Sequence, residues 1–169
     1  MEYAHQADNR MKTVKTELNQ ADRRLLIALQ RDASVSQGDL AEKSGISPSQ
    51  VSRRLAQLKE DGVLKGIVGV LEPERAGLTC AAIIRVRLRD HAAANVKEFR
   101  DLVKRMEEVT LCVMTTGETD YLMKIVARDL PHFQEIVQSK LLRCTAIAHM
   151  ESSIVLEHLK DTTALPLSD

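Results

Sequence analysis

The residues of this sequence best suited to chemistry are short polar and cationic side chains between positions 47 and 65. Hydroxyl, amide and guanidinium groups of this kind make hydrogen bonds to base edges and phosphate oxygens of nucleic acids. None of them has the neighbouring base that would activate a nucleophile. We name this set the candidate reading residues, and they are Ser47, Ser49, Gln50, Ser52, Arg53, Arg54, Lys59 and Lys65.

Members of this set suit different parts of a DNA duplex. Gln50 has the shape to pair with adenine and Arg53 with guanine, and each good two-point pair discriminates between bases by roughly 1–3 kcal/mol. Arg54, Lys59 and Lys65 suit phosphates, which fix the position of a protein without reading sequence. The alternative interpretation is a solvated helix face with ordinary charges.

A helix-turn-helix would present the candidate reading residues. Ser47 followed by Pro48 predicts a helix start, because the serine hydroxyl caps free N–H groups and proline lacks the N–H that a first turn leaves unpaired. Gly45 suits the turn before that helix, where the backbone needs a positive φ. The apolar core shared by the two helices is predicted to be Leu40, Ala41, Ile46, Val51, Leu55 and Leu58.

Three helices are expected in this part of the chain. The first begins at Asp22, which we expect to be its N-cap, and a polar stretch from Arg31 ends it. The second covers residues 37–43, and the third runs from the cap at Ser47 to about Asp61.

The second half of the chain alternates between strand and helix patterns. Strands are predicted over residues 78–88, 109–115, 121–127 and 146–159, and helices over 96–106 and 130–142. This β-α-β-β-α-β order predicts an α+β, ferredoxin-like fold. Two helices then cover one face of a four-stranded antiparallel sheet, and a partner subunit is expected on the other face.

The pattern divides the chain into four predicted parts. Residues 1–17 are an N-terminal arm, and residues 18–66 are a winged helix-turn-helix DNA-binding domain. Residues 67–76 belong to a linker hairpin that begins at about Val63, and residues 77–169 are the ferredoxin-like domain.

The composition of the 169-residue chain argues against several classes of protein. Aromatic residues make up 2% and there is no Trp, which disfavours stacking-based readers of single-stranded nucleic acid. A formal net charge of +0 does not decide about DNA, because a basic patch can be offset elsewhere. Met1 to Leu18 lack the apolar run of a signal peptide and no later stretch could span a bilayer, so we expect a cytoplasmic protein.

No cluster of residues suggests catalysis or a metal site. Cys80, Cys112 and Cys144 are far apart and lack any CxxC pairing, so we expect buried, reduced thiols. The histidines form no closely spaced pair, and no Ser/His/Asp or Cys/His set is visible. We therefore expect no enzyme activity, no cofactor and no metal ion.

Six segments carry a resemblance to a known family. They are DRRLL at 22–26, LAEKSGIS at 40–47, RLAQL at 54–58, GVLKG at 62–66, TGETDYLMK at 116–124 and SSIVLEHLKDTT at 152–163. Together they resemble the Lrp/AsnC (leucine-responsive/asparagine-regulator, feast/famine) family of transcription regulators over about residues 18–167.

The resemblance implies an oligomeric regulator that binds double-stranded DNA and responds to a small effector, commonly an amino acid. Such proteins form dimers through the α/β domain, and the dimers assemble into octamers or related rings. An amino acid needs hydrogen-bond donors for its carboxylate and an acceptor for its ammonium group. The effector-binding residues implied by the resemblance are Thr116, Gly117, Glu118, Thr119, Asp120, Ser152 and Ser153.

The sequence departs from the family pattern before its last strand. Many relatives have a Pro-Gly-Val turn there, whereas this chain has Thr145-Ala146-Ile147. A different shape of this loop would affect which effector is bound.

Two alternative functions compete with a regulator. An architectural protein would pack DNA through the same helix-turn-helix without sensing an effector. A relative of haem-pathway decarboxylases would keep the two-domain layout but rely on histidines around a large cavity. His149 and His158 are an odd number of residues apart on the predicted last strand, so they face opposite sides of it. This arrangement argues against the decarboxylase interpretation.

Overall fold

The computed structural model describes residues 17–168, which divide into two compact units. The first unit contains the chain up to Gly69 and the C-terminal tail from Lys160, and the second is Val70–Leu159. Almost all of the predicted N-terminal arm, residues 1–17, lies outside the described residues. No helix among residues 17–168 is long and apolar enough to cross a membrane.

The first unit is built from three helices with well-defined ends. They are α1, Gln20–Arg31; α2, Gln37–Ser44; and α3, Pro48–Glu60. Ser47 caps α3 as predicted, and Gly45 ends α2 with φ of 71°, in the left-handed region that glycine adopts without steric cost. The predicted cap of α1 is wrong: Asn19 is its N-cap, and Asp22 lies one turn inside the helix.

The core of the first unit joins the apolar sides of the three helices. Its fully buried members include Leu25, Leu40, Val51 and Leu58. The predicted core is confirmed, with Ile46 and Leu55 half-buried at its edge. Burial of an apolar side chain contributes about 1.5–3 kcal/mol, so this small core holds α3 against α1 and α2.

The second unit has the predicted β-α-β-β-α-β order. Its elements are β1, Cys80–Leu88; α4, Ala93–Arg105; β2, Val109–Met114; β3, Tyr121–Ala127; α5, Leu130–Ile136, which continues as a π-helical turn, Val137–Leu141; and β4, Ile147–Ile154. All neighbours in the sheet are antiparallel, in the order β2-β3-β1-β4. This topology confirms the ferredoxin-like arrangement.

The two faces of the sheet differ in burial. On one face, alternate residues of β1 and β3, such as Ile84, Val86 and Met123, are fully buried in the core that includes Phe99 of α4. On the other face, which we name the open face, Leu111 and Val113 of β2 are 45% and 41% exposed. The open face also carries Ile83 and Arg85 of β1, Leu122 and Lys124 of β3 and Glu151 of β4, which share its side of the pleat by register.

Three expectations about the connections are corrected. No strand forms between Val63 and Leu71, so the linker hairpin is absent and this segment has no regular secondary structure. Val63 and Leu64 pack against the core of the first unit, whereas the apolar side chains from Ile67 to Leu71 remain exposed, for example Val70 at 82%. An isolated two-stranded hairpin without a surface to pack on is marginal in water. Strand β4 ends at Ile154 rather than at residue 159, and the tail from Lys160 belongs to the first unit.

Candidate functional site

The exposed side of α3 carries most of the candidate reading residues. Ser49, Arg53 and Ala56 lie at helical spacing on the side opposite the buried Val51 and Leu58. Arg53 makes no hydrogen bond or ion pair to any other residue in the range 17–168. Its guanidinium is therefore free to contact a ligand outside the protein.

Gln50 is exposed but is already used in the cap of α3. Its Oε1 accepts from the Ser47 N–H at 2.9 Å and from the Ser47 hydroxyl at 3.0 Å, which completes a capping box. A carbonyl oxygen with two donors has both lone pairs occupied. A two-point pair with adenine needs that oxygen, so the pairing predicted for Gln50 requires the cap to open.

The serines of α3 also have local partners. The Ser47 and Ser49 hydroxyl oxygens lie 3.1 Å apart, and the Ser52 hydroxyl donates to Gln37 Oε1 at 3.1 Å. Gln37 is the first residue of α2, so this contact ties the start of α2 to α3. These hydroxyls order the helix start and remain on its exposed surface.

Arg54 does not lie where the sequence analysis placed it. Its Nε donates to Asp22 Oδ1 at 2.7 Å, and its Nη2 contacts Asp22 Oδ2 in a two-point ion pair. The Asp22 side chain is 1% exposed and that of Arg54 is 35% exposed. The hydrogen bond to Asp22 raises the pKa of the Arg54 guanidinium above its ordinary value. Arg54 thus joins α3 to α1, and its assignment to DNA phosphates is corrected.

The signal for this pair was present in the sequence. Arg54 lies on the same helical stripe as Val51 and Leu58, and Asp22 lies on the stripe of Leu25 and Leu29. A charged residue on an apolar stripe needs a buried partner. The pair was missed because Asp22 was interpreted as the cap of α1 and Arg54 as a phosphate contact.

Lys59 and Lys65 remain exposed, Lys59 in the last turn of α3 and Lys65 in the segment that follows it. Both lie on the C-terminal side of Arg53, and neither ammonium group makes a hydrogen bond or ion pair to another residue between positions 17 and 168. Flexible ammonium groups in such positions suit contacts to phosphates.

The loop between β2 and β3 is the second candidate site. The Thr115 N–H donates to the Asp120 carbonyl at 2.9 Å, and the Thr115 hydroxyl donates to the Thr119 carbonyl at 2.9 Å, which closes the loop. Gly117 has φ of 112°, a conformation that side chains rarely adopt. The loop therefore holds Thr116, Gly117 and Glu118 exposed at its tip.

Asp120 has a structural role at the base of this loop. Its Oδ2 accepts from the Leu88 N–H at 2.7 Å, and its own N–H donates to the Val86 carbonyl at 2.9 Å. Its Oδ1 lies 3.4 Å from His91 Nε2. One carboxylate oxygen is thus engaged with the end of β1, and the other faces a histidine that the sequence analysis did not single out.

Ser152 and Ser153 are not brought to the loop. Ser152 pairs with Ile84 of β1 and Ser153 with Ile83, whereas Asp120 lies beside Leu88. Four residues of strand correspond to roughly 13 Å. The two serines also point to opposite faces of the sheet, since they are adjacent in β4. A site containing both the loop and these serines needs a second copy of the chain.

The loop that departs from the family pattern is firmly held. Glu98 of α4 accepts from the Thr145 N–H and from the Thr145 hydroxyl, both at 2.9 Å. Arg89 Nε donates to the Thr145 carbonyl at 2.6 Å. The hydrogen bonds from Thr145 lower the pKa of Glu98 below its ordinary value. Side-chain contacts thus fix a turn that lacks the Pro-Gly pair.

The thiols and other metal-ligating groups show no site. Cys80 and Cys144 are buried and Cys112 is half-buried, and burial raises the pKa of each thiol. Among residues 17–168, no three His, Cys, Asp or Glu side chains are grouped to hold a metal ion.

Comparison with known proteins adds independent evidence. Residues 18–65 match a winged helix-turn-helix DNA-binding family, and residues 81–165 match the Lrp/AsnC ligand binding domain. The DNA-binding transcriptional activator DecR of Escherichia coli strain K12 is 32% identical over 150 residues, which cover 89% of this chain and 99% of that protein.

Solved structures show the same two-domain fold. A transcriptional regulator from Neisseria meningitidis, crystallised as a complex with L-Met, is 35% identical with a TM-score of 0.84, and the match covers 89% of this chain and 97% of that one. An AsnC family transcriptional regulator from Agrobacterium tumefaciens is 29% identical with a TM-score of 0.83 and the same coverage. Because the whole fold and both domain families match, this chain belongs to the Lrp/AsnC family of DNA-binding transcription regulators.

Proposed function

We propose that this regulator reads a specific DNA sequence with the exposed side of α3 and that an amino acid bound at the Thr116–Asp120 loop modulates DNA binding or assembly. The observation that carries the proposal of DNA reading is the different environment of two adjacent arginines. Arg54 is held by Asp22 and fixes α3, while Arg53 is exposed and without a partner among the described residues.

An α-helix with its side chains fits the major groove, and its first turns reach the base edges. Ser49 and Arg53 occupy those turns of α3, and Arg53 donates to guanine through two N–H groups. Lys59 and Lys65 contact phosphates of the DNA backbone. Of the candidate reading residues, Arg53 reads a base, the serines support it and the two lysines bind phosphates. Gln50 stays in the capping box with Ser47.

Two copies of the chain are proposed to pack through the open face of the sheet. Leu111 and Val113 leave apolar surface on that face, and a symmetric partner would remove it from water. Dimerisation pairs two recognition helices, so the operator should be a pseudo-palindrome with half-sites about one helical turn or a multiple apart. Octamer formation is proposed from the family resemblance.

The loop offers complementary groups for a zwitterion. The Gly117 backbone and the Thr116 hydroxyl are exposed and suit a carboxylate, while the exposed Glu118 carboxylate suits an ammonium group. A second copy of the chain would supply the serines of β4. The L-Met complex of the Neisseria regulator supports an amino acid as the class of effector.

Two experiments test the proposal. Selection from a random DNA pool, followed by titration of the selected and a scrambled duplex, should yield a two-fold symmetric site bound about a thousandfold or more tightly than the scrambled one. A thermal-shift screen of the common amino acids, beginning with L-Met, should find one that raises the melting temperature, because a ligand of the native state stabilises it.

The outcomes separate the alternatives. Tight binding of all duplexes alike, with no amino acid that shifts melting or DNA affinity, would favour an architectural DNA-packing protein. Absence of DNA binding would refute the assignment of α3.

A further inference from the structure

The C-terminal tail makes specific contacts to α1. The Leu165 N–H donates to Gln30 Oε1 at 2.6 Å, and Gln30 Nε2 donates to the Leu165 carbonyl at 3.3 Å. One side-chain amide therefore pairs with both backbone groups of a single residue, as a neighbouring strand would. This geometry recognises an extended peptide backbone.

Two further contacts extend the docked segment. Leu167 is half-buried and packs against the core of the first unit, the cluster that includes Leu25 and Leu29. Arg23 Nη1 donates to the Ser168 carbonyl at 3.4 Å. Arg23 and Gln30 are seven residues apart, which places them on one side of α1 two turns apart.

We propose that this side of α1 is a peptide-binding site whose ligand is the protein's own C-terminal tail, residues 160–168. Gln30 recognises the backbone at Leu165, and Leu167 is the apolar anchor. The tail is then a functional part of the DNA-binding unit, although the match to the ligand binding domain extends to residue 165. The chain consequently passes between its two units twice, near Gly69 and near Lys160.

The tail site has a consequence for the recognition helix. Helix α1 holds Asp22, and Asp22 holds Arg54 of α3. Docking of the tail orders α1, so it stabilises the helix against which α3 is fixed. Tail docking and the folded state of α1 stabilise one another. The factor by which the docked tail stabilises α1 is therefore the factor by which release of the tail lowers the protection of α1 against hydrogen exchange.

Hydrogen exchange of the full-length chain, read by mass spectrometry, tests the site without DNA or effector. Gln30→Ala and Leu167→Ala should each speed exchange in the peptides over 20–31 and 160–168 by about five- to tenfold. Each variant removes a contact that shifts the equilibrium between docked and released tail by roughly one order of magnitude. The matched control is Leu159→Ala, whose side chain is 89% exposed, and it should leave both peptides unchanged.

A chain ending at Leu159 gives the decisive second measurement. If Gln30 acts through the tail, then Gln30→Ala should add nothing to the exchange of α1 in the shortened chain, although it has a clear effect in the full chain. An equal effect of Gln30→Ala in both chains would overturn the proposal. So would unchanged exchange of α1 in the shortened chain, or the same acceleration in the Leu159→Ala control. Because DNA plays no part in these readouts, failure here is distinguishable from failure of the proposed function.

Discussion

Arg54 of α3 forms a two-point ion pair with Asp22 of α1, and the carboxylate of Asp22 is almost fully buried. The same carboxylate accepts from the Asn19 N–H at 3.2 Å, within the capping box that starts α1. One side chain therefore fixes both the beginning of α1 and the position of the recognition helix. The adjacent Arg53 stays exposed, so two neighbouring arginines of one helix have opposite tasks.

Loss of this ion pair should destabilise the first unit. Asp22→Ala leaves the half-buried Arg54 without its partner, and we expect a loss of about 2–4 kcal/mol, somewhat below the cost for a fully buried pair because Arg54 is partly hydrated. Urea unfolding followed by circular dichroism measures this change. Arg54→Lys should be intermediate, because lysine cannot make the two-point contact. Wild-type stability of both variants would contradict the role given to the pair.

Arg53→Ala should weaken binding to the selected duplex by about 10- to 100-fold, because a base contact worth roughly 1–3 kcal/mol is lost. The affinity for the selected duplex should therefore approach the affinity for the scrambled duplex. Stability should not change, since Arg53 has no partner among the described residues. Fluorescence anisotropy titration gives both affinities. Arg105→Ala, at the exposed end of α4, is the matched control and should bind like the wild type.

Loss of a phosphate contact lowers the affinity for every DNA sequence, whereas loss of a base contact lowers it mainly for the selected one. Lys65 therefore serves as a comparison for the base-reading role of Arg53. Lys65→Ala should weaken both duplexes alike and reduce the slope of log affinity against log salt by about 1. Equal losses on the selected and scrambled duplexes for Arg53→Ala as well would remove Arg53 from base reading.

Glu118→Gln should weaken the response to an amino acid found in the thermal-shift screen. The substitution keeps the shape of the side chain but removes the charge that pairs with the ammonium group, for an expected loss of about 10- to 100-fold in affinity. Calorimetric titration measures it, and Glu107→Gln, exposed before β2, is the control. Undiminished affinity of Glu118→Gln would place the ammonium elsewhere.

Asp120→Ala tests effector binding less specifically than Glu118→Gln does. It also removes the hydrogen bond to the Leu88 N–H, so it should lower stability even without effector. Reduced effector response of Asp120→Ala alone therefore does not locate the site.

Glu98 should give acid sensitivity to the turn before β4. Its pKa is lowered from 4.5 by hydrogen bonds from Thr145, so the charged form favours the folded state. This stabilisation is present above about pH 4.5 and is lost as the pH falls through the lowered pKa. The difference in unfolding free energy between wild type and Glu98→Gln should thus be constant near neutral pH and shrink in acid. A difference that grows on acidification would contradict this assignment.

The open face of the sheet should control dimerisation. Arginines at two neighbouring apolar positions, Leu111→Arg with Val113→Arg, should separate the dimer into monomers, because buried unpaired charges oppose an apolar interface. Light scattering after size exclusion measures the mass. Leu142→Arg, at a position 65% exposed beyond α5, is the control and should not change it. An unchanged mass of the double variant would show that assembly uses another surface.

Features that depend on near neighbours in the chain were predictable from the residues alone. Ser47 and Pro48 start α3, and Gly45 makes the turn before it, because caps and turns are local interactions. The alternation of apolar residues in β1 likewise predicted the sheet, since the period of side chains sets which face is buried. The helix-turn-helix, the ferredoxin-like order and the family were therefore readable from the residues.

Contacts between residues that are distant in the chain became visible only in the folded protein. The partner of Arg54 lies 32 residues away, and the residue that holds Leu165 lies 135 residues away. Periodicity places a side chain on a face but does not name the group that meets it there. The separation of Ser152 from the loop follows from the register of the sheet. The register is set by the free energy of the whole fold, and no interaction between near neighbours in the chain determines it.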